Sequence, residues 1–250
     1  MNTRRYSWKP SKPDHRDHLF TLTLAALPDH VDPLGGSDPV EDQGQLGACT
    51  GHASTTALEI VTGRGPLSRL MAYYDGRKYE GTTRQDTGAE IRDVIKGLTA
   101  YGCASEPLWP YDVKKFATKP SAAAYKDAKG IIPKVRSYER VTTLAQFKAA
   151  LASGLPVIFG FSVPDYFESD AIAESGWVPF PSKAAKIIGG HAVCAIGYDD
   201  RAETPFVWVR NSWGASWGLG GNFKMPYAWF SGIDSAAGLV SDCWVIHPAE

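Results

Sequence analysis

Four side chains have the types and order needed for acyl transfer by a sulfur nucleophile: Gln43, Cys49, His191 and Asn211. Cys49 stands in the run Gln43-Gly44-Gln45-Leu46-Gly47-Ala48-Cys49-Thr50-Gly51-His52-Ala53. Behind it Ala53, Ala57, Ile60 and Val61 recur at helical spacing until Gly63, a residue suited to ending a helix. A thiol at a helix start faces free backbone N–H groups and the positive end of the macrodipole, which favour the thiolate. Gln43, six residues earlier across a glycine-containing turn, can donate a hydrogen bond to the centre the sulfur attacks. Free cysteines are commonly just buried packing residues, so this reading needs partners for the sulfur.

His191 opens an apolar run, His191-Ala192-Val193-Cys194-Ala195-Ile196-Gly197-Tyr198, directly after Gly189 and Gly190, which leave room for another chain to approach. An imidazole there either packs in the interior or takes the thiol proton and later protonates a leaving amine. Twenty residues on, Asn211-Ser212-Trp213-Gly214-Ala215-Ser216-Trp217-Gly218 offers an amide to fix the imidazole tautomer. Trp213 is placed to keep water from that bond. A zinc site is the rival use of His15/His18, Cys49/His52 and His191/Cys194, each pair three apart. In a strand, residues three apart point to opposite faces, so His191 and Cys194 cannot share an ion, and no metal or other cofactor is expected. His52 is expected to support the site or sit at the surface, and not to act as the base.

These three blocks, in this order, resemble the papain family of cysteine peptidases over about residues 27 to 230. The resemblance implies an α+β, papain-like two-lobe fold, with a helical N-terminal lobe, a β-barrel-like C-terminal lobe and the active-site cleft between them. It implies Cys49 as nucleophile, His191 as its acid/base partner, Asn211 as the residue orienting His191, and Gln43 with the Cys49 N–H as the oxyanion hole. Substrate contacts are expected from Gly88 in Asp86-Thr87-Gly88-Ala89, from Gly190, and from Trp213 on the leaving-group side. Two family features differ. Leu46 stands where a disulfide cysteine is usual and Thr50 where a tryptophan follows the nucleophile, a combination similar to compact bacterial papain-like peptidases.

The elements that must carry these residues can be read from periodicity. Residues 1–26, with Pro10 and Pro13 among basic and polar residues, predict an extended N-terminal arm, either a floppy terminus or one laid across a groove and restraining activity in the manner of a pro-segment. Residues 27–130 predict a mainly helical lobe carrying the nucleophile. After the Cys49 helix come helices over Ser68 to Lys78 and after a capping box at Thr87–Glu90, an irregular stretch over 103–120, and a short helix over Ser121 to Lys129. Residues 131–250 predict a mainly β lobe carrying His191 and Asn211. Thr142 to Ala152 reads as a helix there, and Pro156–Val163, His191–Tyr198 and Phe206–Trp213 read as strands.

Composition narrows the partners. The chain of 250 residues is 44% hydrophobic and 21% charged, an ordinary globular balance, and its net charge of −1 argues against nucleic acid as a partner. No apolar run approaches the roughly 20 residues of a membrane helix. The run Leu19 to Leu27 follows Asp14 and Asp17 and makes a poor signal peptide, so a cytoplasmic location or export without a signal peptide is expected. Cysteines stand at 49, 103, 194 and 243; with Cys49 free, the remaining three cannot all pair with one another. The reading is a thiol endopeptidase acting on peptide or protein substrates as a monomer. The alternatives are a papain-fold binding module or a non-peptidase acyl transferase, since fold alone does not dictate function.

Overall fold

The computed structural model describes residues 4–21, 26–36, 39–130 and 134–249; residues 22–25 of the apolar Leu19–Leu27 run lie outside it. In chain order its elements are β1 (His30–Val31), α1 (Cys49–Thr62), α2 (Arg69–Glu80), α3 (Ile91–Tyr101), α4 (Ala122–Gly130) and β2 (Val135–Val141). There follow α5 (Leu144–Ala152), β3 (Val157–Pro164), α6 (Asp170–Ser175), β4 (Ile187–Asp199), β5 (Phe206–Arg210), β6 (Asn222–Pro226) and β7 (Val240–Pro248).

Local chemistry accounts for the helix ends. Helix α1 stops at Gly63, which adopts the left-handed conformation and returns its N–H to Glu59 O at 2.8 Å. Ser68 caps α2 by accepting from the Met71 N–H, and Thr143 caps α5 by accepting from Gln146. The expected capping box at Thr87–Glu90 does not form. Glu90 caps α3 without a side-chain bond, its N–H held by Glu80 Oε1 at 2.7 Å, while Gly88 donates to Tyr73 Oη at 3.1 Å. The Glu80 bond takes the Glu90 N–H that Thr87 Oγ would accept in a capping box.

The strands form one seven-stranded antiparallel sheet in the order β2-β7-β3-β4-β5-β6, with β1 paired to β4. Strand β4 runs through its middle with alternating faces. Val193 and Ala195 join an aromatic cluster with Phe147, Phe159, Phe161, Phe167 and Trp229. Ala192, Cys194 and Ile196 join Leu58, Leu70, Ile95 and Leu98 from α1, α2 and α3. Each buried Val, Leu, Ile or Phe among them stabilises the fold by about 1.5–3 kcal/mol relative to exposure. Strands β2 and β6 escape a hydrophobicity reading because β2 (Val135–Val141) is polar at its half-exposed middle positions and β6 carries Lys224 and ends at Pro226. All four cysteines are free and buried.

The described part of the arm lies extended against the rest of the molecule. Trp8, Ser11 and Phe20 are buried. Asp17 pairs with Arg92 of α3 at 2.9 Å and with Arg140 of β2 at 3.2 Å, tying the arm to helices and sheet at once.

Candidate active site

Helix α1 begins at Cys49 itself, with Ala48 before it offering no side-chain cap, so the first-turn N–H groups are left to the sulfur. Backbone N–H groups of Ala192, Thr50 and Cys49 reach the thiol. Ala192 belongs to β4, so the sulfur lies against the residue that follows His191. Packing of α1 on β4 thus seats the Cys49 sulfur against the backbone of Ala192, next in sequence to His191.

His191 is 1% exposed. Its Nε2 lies 2.9 Å from Asn211 Oδ1, which also accepts from the Ser212 N–H at 2.9 Å. Because Oδ1 can only accept, Nε2 carries the proton in the neutral ring and Nδ1 is left with its lone pair. Nδ1 is buried and has no partner among protein side chains or backbone. Trp213 stacks on the imidazole with centroids 5.4 Å apart and planes at 29°, and Phe161 meets it edge-on at 5.8 Å. His191 therefore sits on the aromatic side of β4, whereas Cys194 faces the helices.

Gln43 is fully buried. Its Oε1 accepts from Ser212 Oγ at 2.5 Å and its Nε2 donates to Leu46 O at 3.0 Å, leaving the second Nε2 hydrogen for another acceptor. Gln43 N donates to Ser212 O at 2.9 Å, so backbone and side chain both anchor this turn to the end of β5.

The arm crosses this constellation. Arg4 pairs with Asp42 and lies 5.2 Å over the Trp213 ring; Arg5 pairs with Asp86 at 2.9 Å. Tyr6 meets the His191 ring edge-on at 6.2 Å and bonds Glu168. Trp8 donates its backbone N–H to Gly190 O at 3.2 Å, and its indole fills a pocket floored by Gly160, where a Cβ would overlap the ring. Ser7 passes over Gly88, whose φ of +78° suits glycine and whose missing side chain leaves room for the Ser7 carbonyl. Further on, Ser11 donates through N and Oγ to the buried carboxylate of Asp242 at 3.1 and 3.0 Å.

Under this cover the electrostatics differ from the helix-terminus expectation. Burial pushes the Cys49 thiol up to about 11, over the opposing pull of the three N–H groups. Burial also pushes His191 down to about 4, against the Asn211 bond that favours its charged form. Both groups are neutral near pH 7 while the arm is docked, because loss of solvent outweighs the dipole.

Gln43, Cys49, His191, Asn211 and Trp213 are brought together, and Gly88 and Gly190 both lie under the arm. The Gly88 N–H, however, is turned to Tyr73 Oη. The sequence reading missed Ser212, Trp8 and Asp86. Ser212 was visible within the Asn-Ser-Trp-Gly block with no role given to its hydroxyl, and Trp8 was the one large indole in an arm read for its prolines and charges.

The model of the papain family cysteine proteases matches residues 27–239. The chain belongs to the papain family. Among solved structures, xylellain, a cysteine protease from Xylella fastidiosa, is 35% identical and superposes with a TM-score of 0.87, covering 100% of this chain and 99% of that one. An uncharacterized peptidase C1-like protein of Acanthamoeba polyphaga mimivirus is 36% identical over 98% of this chain and 87% of its own length. Cysteine proteinase 3 of Entamoeba histolytica is 26% identical over 81% of this chain, which spans 64% of that longer protein. The fold is the α+β papain fold, and this papain family member is a cysteine peptidase.

Proposed function

We propose that the protein is a thiol endopeptidase using Cys49, His191 and Asn211, with Gln43 and the Cys49 N–H as oxyanion hole. A helical lobe (residues 27–130) supplies the sulfur and Gln43, and a β lobe (131–250) supplies the imidazole and Asn211. The observation that carries this reading is the 2.9 Å His191–Asn211 bond, which leaves Nδ1 as a base beside the strand residue whose N–H reaches the Cys49 thiol.

In the reaction the His191 Nδ1 takes the thiol proton as sulfur attacks the peptide carbonyl carbon. The oxyanion is held by the free Nε2 hydrogen of Gln43 and the Cys49 N–H. His191 then gives its proton to the departing amine nitrogen, the C–N bond breaks, and a thioester remains. Water, deprotonated by His191, releases the acid and restores the thiol.

The arm restrains this activity. It covers the His191 and Trp213 rings with Tyr6 and Arg4 and fills the Gly160 pocket with Trp8. Once the indole leaves, the same pocket receives a bulky apolar side chain of a peptide substrate.

Active-site titration with a thiol-directed epoxide tests the proposal. Cys103, Cys194 and Cys243 are buried, with thiols held far above their ordinary value by burial, so they do not compete. In a variant with the arm displaced, one equivalent on Cys49 with matching loss of activity is expected. Labelling of another cysteine, or none, rejects the mechanism.

A further inference from the structure

His52 lies one turn beyond Cys49 on α1 and is 2% exposed. Its Nδ1 is 3.0 Å from Ala48 O. A carbonyl only accepts, so Nδ1 carries the proton and Nε2 is left as an acceptor. Burial, first, and the nearby Arg69 hold the ring neutral, with its pKa down to about 3. Nε2 is buried without a protein partner, and so is Asn211 Nδ2, a donor. Both residues line two small cavities of about 10 Å³ each, which also share Thr56, Arg210 and Ser212. That volume is about what one water needs, and buried waters typically bridge such groups.

Donor and acceptor are complementary here. We infer that His52 is a positioning residue: through one buried water that accepts from Asn211 Nδ2 and donates to His52 Nε2, it keeps the Asn211 carboxamide turned with Oδ1 toward His191. The need is specific. A flipped amide would set Nδ2 against the Nε2–H of His191, donor against donor, and would release the tautomer that leaves Nδ1 as base. The Ser212 N–H holds Oδ1 from one side, and the His52 water holds Nδ2 from the other. His52 is itself fixed by Ala48 O and by Tyr111, which meets it edge-on at 4.8 Å and donates its hydroxyl to Gln43 O at 2.9 Å.

The inference rests on the reading of Asn211 as the residue that orients His191, and its test separates the two. His52→Phe keeps a ring against Tyr111 but removes the acceptor; His52→Gln keeps an acceptor. Both are measured on a small peptide in an arm-displaced background, with and without Asn211→Ala. The expectation is a kcat roughly 10-fold lower for His52→Phe with KM unchanged, substantial recovery in His52→Gln, and no further loss when His52→Phe is added to Asn211→Ala. Equal activity of His52→Phe and its parent overturns the inference. So does the same fold-loss in the Asn211→Ala background, or a His52→Gln variant as impaired as His52→Phe. If instead Cys49→Ala retains turnover, the site reading itself falls. Should His52→Phe fail to fold, His52→Leu, which also removes the acceptor, takes its place: its loss in kcat must disappear in the Asn211→Ala background.

Discussion

Gln43 and Ser212, 169 residues apart, are joined twice: Ser212 Oγ donates to Gln43 Oε1 at 2.5 Å, and Gln43 N donates to Ser212 O at 2.9 Å. The hydroxyl fixes which end of the Gln43 amide faces Leu46 and so aims Nε2. Gln43→Ala is expected to lower kcat by about 10²–10³-fold, the usual loss on removing one oxyanion donor. Ser212→Ala, which keeps the donor but frees its amide to rotate, should show a smaller loss in kcat. Steady-state kinetics on one peptide series compares them, and a Ser212→Ala loss as large as that of Gln43→Ala would contradict the aiming role.

Cys49→Ala is expected to abolish turnover while leaving the fold intact by circular dichroism. Asn211→Ala should retain reduced activity, with kcat lower by on the order of 10²-fold, because His191 remains but its tautomer and orientation are no longer held. Turnover by Cys49→Ala equal to that of the parent removes the mechanism.

Trp8 fills the Gly160 pocket, so Trp8→Ala should weaken arm docking by about 3 kcal/mol, near 10²-fold. Two readouts follow. The rate on small peptides rises, and Cys49 alkylation by iodoacetamide at neutral pH accelerates, because uncovering the thiol lowers a pKa that burial raises. Deleting residues 1–26 should act in the same direction. An arm that leaves both rates unchanged when Trp8 is removed does not restrain the enzyme.

Acid should destabilise the fold through its buried histidines. His52 is depressed to about 3 and His191 to about 4, so below the ordinary range near 6.5 the unfolded chain binds protons that the folded one refuses. Their contribution is complete above pH 6.5 and declines as pH falls toward 3–4, by up to ~1.4 kcal/mol per pH unit for each ring. Burial raises Glu59 and Asp75, which act with opposite sign in part of this range. The difference between parent and His52→Phe isolates one ring: urea midpoints at pH 7 and pH 4 should show the parent losing more stability than the variant. Parallel pH profiles would show that His52 is not held neutral in the folded state.

Cys49, His191 and Asn211 were singled out in the sequence by the order of their blocks, which resembles the papain family, and the helix beneath Cys49 was legible because its bounds rest on local rules: apolar spacing and a glycine stop after Thr62. The three strands read from apolar runs were legible for the same reason. The capping box at Thr87–Glu90 was misread because Glu80, from another helix, claims the Glu90 N–H and the helix starts only after Glu90. Only the tertiary structure decided that Ser212 bonds the Gln43 amide, that Ser11 meets Asp242 across 231 residues, and that Trp8 seats over Gly160. It also decided the protonation states. A helix start favours a thiolate, but burial depends on what distant segments cover, and here desolvation by packed chain is the larger effect.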